Sequence, residues 1–218
     1  RSLLEKSGVR ILSEAVPSFR PDVVVRSSAI AEDLPALDQW KEQGIPVLRR
    51  GDFLAKLTAE CKVLAVVGSH GKTTTAAMLA WLLRKADFPC GYLVGGLFRD
   101  PSIPPGAHSD SPWVVIEVDE SDGTIDGFSP TATLCLNCDW DHTTQYSSQR
   151  GFRDTLGGLF SRTKNAIIIP EENDLEDLAQ SSASCSTITY ENSSDPGAYN
   201  ASNAAAALAA FGYLGLDP

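Results

Sequence analysis

The sequence predicts an α/β fold, a mostly parallel sheet with helices on both faces. Two observations carry that expectation. Short β-branched and apolar runs recur along the chain ("PDVVVRSSAI", "KVLAVVG", "PWVVIEVDE", "TATLCLNCD", "NAIIIP", "STITY"), and helix-forming segments separate several of them. Continuous apolar runs, rather than strict alternation, suit strands buried on both faces, as a parallel sheet between helices requires. The third observation is local: "KVLAVVG" runs directly into a glycine loop and a helix, the order a phosphate-binding loop needs.

Taken in order, "VRILSE" and "PDVVVRSSAI" read as strands, and "LPALDQWKEQG" reads as a helix closed by Gly44. "IPVLRRGDFLAKLT" supplies a further short strand and helix. From Cys61 the rhythm is larger: a buried strand, then a helix from Thr73 to Lys85 with Met78, Leu79, Leu82 and Leu83 on or near one face. The remaining strands follow, and "YNASNAAAALAAFGYLG" ends the chain as an alanine-rich helix of high intrinsic propensity. Two segments rich in breakers, Phe98 to Pro112 and Glu191 to Gly197, read as loops. A domain boundary is expected near Thr58–Glu60, dividing residues 1–59 from 60–218.

With 218 residues the chain is long enough for one large domain or two small ones. Its 43% hydrophobic and 21% charged residues suit an ordinary globular protein. A net charge of −10 argues against nucleic acid or an anionic membrane as the main partner, but a local ring of amides and one lysine still holds phosphates in an acidic protein. No apolar run approaches the roughly 18 residues that a bilayer span needs, and no signal-peptide pattern opens the chain. Five cysteines, an odd number, suit reduced thiols and a cytoplasmic location. "CLNCDWDH" offers Cys135, Cys138 and His142 to zinc, but no second Cys-x-x-Cys completes a tetrahedral set. Strand neighbours three apart also face opposite sides, so no zinc site is expected. The chain opens on Arg1 and its one methionine is Met78, so a missing natural N-terminus is expected.

The loop Gly68-Ser69-His70-Gly71-Lys72-Thr73 departs from the usual G-x-x-x-x-G-K-[ST], since Val66 stands where the first glycine belongs. The residue types still suit an anion. Glycines let the backbone approach, the helix N-terminus presents N–H groups, Lys72 can reach phosphate oxygens and Thr73 can ligate magnesium. A carboxylate inside "VVIEV", Glu117, is costly to bury without a cation and lies where a parallel strand meets such a loop.

The pattern A-x-x-G-x-x-G-K-[ST], Ala65 to Thr73, resembles the loop of the Mur ligase family and its folate-ligase relatives. Three more motifs fall in the family's order. "VIEVDESD" resembles the strand that ends in a metal-binding glutamate, matched by Glu117. "LNCDWDH" resembles N-x-x-x-D-H, matched by Asn137 and His142. "PGAYNASNAAAALAA" resembles P-G-x-H-N-x-x-N-A-x-A-A, matched by Asn200 and Asn203, with Tyr199 in place of the usual histidine. The front of the chain, around "VRSSAIAEDLPALDQW", is similar to the second half of the family's N-terminal domain.

The resemblance implies a P-loop NTPase-like central domain preceded by part of a Rossmann-like domain that binds the UDP substrate. It also implies ATP and Mg2+ as cofactors and UDP-N-acetylmuramate and L-alanine as substrates. ATP-binding residues would be Gly68, Ser69, His70, Gly71, Lys72, Thr73, Thr74, Asn200 and Asn203. Metal ligands would be Thr73, Glu117 and His142, and catalytic residues Lys72, Glu117 and His142. Asp119, Glu120, Ser121 and Asn137 would face the muramyl substrate.

Several features depart from the family's pattern. No glycine-rich turn precedes Leu12, the family's C-terminal domain is expected to be missing after Pro218, and "ENSSD" is far shorter than the family's segment there. An acid common two residues past the histidine is replaced by Thr144, and no lysine lies between His142 and Lys164. Alternatives therefore stay open: a ligase that recycles a murein tripeptide, a catalytically silent nucleotide-binding fragment, or a generic P-loop ATPase. For Asn200 and Asn203, capping of the last helix is the structural alternative.

Overall fold

The structure is a computed structural model and describes residues 4–5, 8–11, 19–119, 123–139, 148–192 and 198–217. Contacts divide the chain into two units, Arg1–Phe53 and Leu54–Pro218.

In the first unit, β1 (Val24–Arg26) pairs in parallel with β2 (Val47–Arg49), Val24 opposite Val47, and α1 (Pro35–Glu42) makes the crossover. Pro35 stands in the first turn of α1, where its fixed φ suits a helix and its missing N–H costs nothing. Leu37 and Trp40, three apart, are the buried residues of that helix. Gly44 ends it at φ +71°: its N–H donates to Lys41 O, and the Ile45 N–H reaches back to Trp40 O. The expected strand over "VRILSE" is not found in its described part, since Val9, Arg10 and Ile11 pair with no strand and are exposed. Among the described residues no strand lies against them, so the apolar side chains of Val9 and Ile11 find no sheet face to bury.

The second unit begins within α2 (Arg50–Leu57) and is built on a seven-stranded sheet of order β5-β4-β6-β3-β7-β8-β9. Its strands are β3 (Lys62–Val67), β4 (Gly91–Leu93), β5 (Gly106–Ala107), β6 (Trp113–Glu117), β7 (Ala132–Cys135), β8 (Ala166–Pro170) and β9 (Ser186–Tyr190). All pairings are parallel except β4 with β5. The helices are α3 (Lys72–Lys85), α4 (Gln149–Arg162), α5 (Asn173–Ser182) and α6 (Tyr199–Tyr213).

Side chains alternate along β3 and feed two cores. Val63, Ala65 and Val67 join Phe152, Leu156, Leu159 and Phe160 of α4 on one face. Leu64 and Val66 join Ala76, Leu79, Ala80 and Leu83 of α3 and Ala206, Ala207 and Ala210 of α6 on the other. Small alanines line the contact between α3 and α6. The sheet is thus covered on both sides, which explains the continuous apolar runs.

Two helices and two strands were not legible in the sequence. Gly151, Gly157 and Gly158 lower the propensity of α4, yet a Cβ at Gly157 would lie 2.9 Å from Ser182 Oγ of α5. The glycine is there because α5 packs against it. Helix α5 is short and polar, and β4 and β5 have three and two residues, too few for a period to register. Cys135 is fully buried, and Cys138 packs against the same cluster. Opposite faces were expected; β7 ends at Cys135, alternation carries on to Leu136, which joins the other cluster, and Cys138 lies beyond the strand.

Candidate phosphate-binding site

The site forms where β3, β6 and β7 end side by side. Strand β3 lies between β6 and β7, so the chain's excursions leave it in opposite directions and open a crevice at the strands' C-terminal ends. Val66 is fully buried within β3, opposite Glu117 of β6 and Leu134 of β7. A glycine there would only weaken a central strand, so the loop's first glycine falls at Gly68.

Gly68 has φ +134° and presses on the β7 extension, where a Cβ would meet Asn137 N and O at 3.2 Å. Gly71, φ +82°, is the N-cap of α3 and offers no side chain to its first-turn N–H groups. The Lys72 ammonium folds back over the loop and donates to Gly68 O at 2.7 Å. The Thr73 hydroxyl donates to Glu117 Oε1 at 2.7 Å, and the Gly95 N–H donates to Glu117 Oε2 at 2.7 Å. Ser69 to Thr74 and Glu117 line a cavity of about 260 Å³.

The glycines Gly95 and Gly96 were not singled out from the sequence. A Cβ at Gly95 would stand 2.8 Å from Glu117 Oε2, and one at Gly96 2.8 Å from the Thr73 methyl. The available signal was the Gly-Gly pair just after an apolar strand.

Asn137 lies against the loop. Its Oδ1 accepts from the His70 N–H at 3.0 Å and its Nδ2 donates to His70 O at 3.2 Å. The Ser69 hydroxyl donates to Asp139 O. On the other flank the Thr75 hydroxyl, fully buried, donates to Asn203 Oδ1 at 3.2 Å.

A second cavity of about 610 Å³ adjoins the loop, with Asn200, Asn203, Glu172, Asn192 and Tyr190 among its walls. The N-cap of α6 is Ala198, without a side-chain cap bond, so neither asparagine caps that helix. Burial first, then the Asp139 charge, push the Glu172 carboxyl above its usual value, against a lowering hydrogen bond from Asn192. Burial likewise pushes the Tyr190 phenol up.

The structure thus brings the loop residues, Glu117, Asn137, Asn200 and Asn203 to one end of the sheet, with Asp119 half-buried two residues past Glu117. Glu120, Ser121 and His142 lie outside the described residues. Among the described residues no group of three or more His, Cys, Asp or Glu side chains converges as a metal cluster.

No family model matches the chain. Over 135 residues it is 41% identical to a UDP-N-acetylmuramate–L-alanine ligase of Synechococcus sp. (strain CC9605), covering 62% of this chain and 28% of that protein. It is 35% identical over 176 residues to one from Streptomyces coelicolor, 79% of this chain and 38% of that one. The chain belongs to the Mur ligase family. It spans about a third of the length of these curated Mur ligase relatives.

Solved Mur ligases share the fold. A UDP-N-acetylmuramate:L-alanyl-γ-D-glutamyl-meso-diaminopimelate ligase from Neisseria meningitides superposes with a TM-score of 0.82 at 23% identity, over 99% of this chain and 82% of that one. A UDP-N-acetylmuramate–alanine ligase from Thermotoga maritima gives 0.78 at 24%, over 99% and 57%. A MurF ligase from Thermotoga maritima, solved in complex with ADP, gives 0.61 at 18%, over 90% and 61%.

Proposed function

We propose that this chain is the nucleotide-binding core of an ATP-dependent carboxylate–amine ligase of peptidoglycan precursor synthesis, one that joins L-alanine to UDP-N-acetylmuramate in the cytoplasm. Residues 1–59 would belong to the UDP-substrate domain and 60–218 to the ATP-binding domain. The observation that carries the reading is the Thr73–Glu117–Gly95 arrangement beside the loop. A hydroxyl and a carboxylate oxygen 2.7 Å apart, next to a lysine and a helix N-terminus, form the donor set of a hard cation on a polyphosphate. The residues present therefore fit MgATP.

ATP supplies the phosphoryl group that turns the substrate carboxylate into an acyl phosphate, from which the amine displaces phosphate. The chain's own residues orient and neutralise. The first-turn amides of α3 and the Lys72 ammonium would surround the phosphates, the ammonium exchanging Gly68 O for phosphate oxygens. Thr73 and Glu117 would hold a first magnesium ion and His142 a second, with Lys72, Glu117 and His142 as the catalytic residues. Asn200 and Asn203 border the cavity that suits the adenosine end, and Asp119, Glu120 and Ser121 would meet the muramyl nucleotide.

A second reading, ligation of a ready-made murein tripeptide, draws support from the structural likeness to the Neisseria ligase. The curated relatives, at 35% and 41% identity, favour alanine. The test is phosphate release from MgATP with UDP-N-acetylmuramate and either L-alanine or the tripeptide, on this chain and on the longest natural polypeptide that carries it. Release requiring UDP-N-acetylmuramate and L-alanine together supports the alanine reading. Release independent of both leaves a plain ATPase and overturns the ligase.

A further inference from the structure

The four-residue span Gly68–Gly71 has only Ser69 and His70 between its glycines, yet both glycines stand at positive φ, where a loop needs outside contacts to hold one shape. Those contacts are specific. The Asn137 carboxamide is engaged at both ends by the backbone of one loop residue, His70. From the opposite flank, Asn203 Oδ1 accepts from Thr75 and lies so near Gly71 that a Cβ there would collide with it. Both ends of the Asn137 amide are turned to the loop, which fixes where its remaining N–H and lone pair point.

We propose that Asn137 and Asn203 are positioning residues that clamp the phosphate loop from its two flanks, setting its N–H groups for a polyphosphate, and that Asn137 acts through the loop rather than on the muramyl substrate. Asn137 holds the middle of the loop to the end of β7. Asn203 holds the start of α3 to α6. The two attachments come from elements 66 residues apart in sequence, so the loop's shape depends on the closed sheet. This inference rests on the reading of the loop as a phosphate site.

Two measurements on the 218-residue chain test it. The first is calorimetric binding of MgATP and of magnesium tripolyphosphate, which has no base or sugar. Asn137→Ala should weaken both probes by the same factor, about tenfold. The second is amide exchange at His70, read without ligand. Asn137→Asp keeps the acceptor for the His70 N–H and Asn137→Ala removes it, so exchange should speed up in the alanine variant alone.

Weakened MgATP binding with unchanged tripolyphosphate binding would overturn the clamp and make Asn137 a reader of base or sugar. Unchanged exchange at His70 in Asn137→Ala would overturn it as well. If the unsubstituted chain bound neither probe, the phosphate-site reading itself would fall and the clamp with it, which separates that failure from failure of the clamp alone.

Discussion

Alanine at Gly95 would put a methyl carbon 2.8 Å from Glu117 Oε2, 3.1 Å from Cδ and 3.2 Å from Oε1. That is too close for the carboxylate to keep its place. The obstacle is the far end of a flexible side chain, so the fold can yield at little cost while the carboxylate swings away. Two contacts go with it, the 2.7 Å bond from the Gly95 N–H and the 2.7 Å bond from the Thr73 hydroxyl. A hydrogen bond to a charged group contributes about 1.5–3 kcal/mol, and the half-exposed Glu117 belongs at the low end. About 1.5 kcal/mol corresponds to about a tenfold loss. Gly95→Ala should therefore weaken MgATP binding about tenfold in calorimetry, with far less effect on ATP in EDTA and a thermal midpoint close to that of the unsubstituted chain. An affinity for MgATP unchanged within about twofold would refute the assignment of Thr73 and Glu117 to the metal end.

Other expectations follow from the same geometry. Lys72→Ala should remove measurable MgATP binding in calorimetry, because its ammonium already lies over the loop, donating to Gly68 O, where phosphate oxygens would take that place. Leu79→Ala empties a fully buried position in the core between the sheet and α3, and should cost about 3 kcal/mol in chemical denaturation. Glu172 has its pKa raised in the folded chain, so its charged form is the disfavoured one. Its contribution is neutral below the ordinary carboxylate range and becomes destabilising as pH rises through the raised value. Glu172→Gln should accordingly be more stable than the parent at pH 7.5, with the difference shrinking toward pH 4.5 in urea titrations.

Much of the architecture is local enough to be legible in the chain. Val63–Val67 and Ile167–Ile169 are strands because their residues are β-branched or apolar throughout, and α6 is a helix because alanine and leucine dominate it. Glu117 was also visible, since a lone acid in an apolar strand demands a partner. The loop was found despite its odd spacing because strand, glycines, lysine and threonine are contiguous.

What tertiary structure alone decided concerns residues whose reason lies elsewhere in the chain. Gly157 looks like a helix breaker until Ser182 is seen against it, and Gly95 and Gly96 look like any turn until Glu117 and Thr73 fill the space a side chain would take. Asn137 and Asn203, read from sequence as substrate and nucleotide contacts, turn their amide groups toward the loop. Sequence by itself determined the longer apolar strands, the last helix and the loop, because those depend on neighbours along the chain. Which glycine makes room and which asparagine hydrogen-bonds beside the loop depends on the closed sheet, which brings distant backbones within hydrogen-bonding distance.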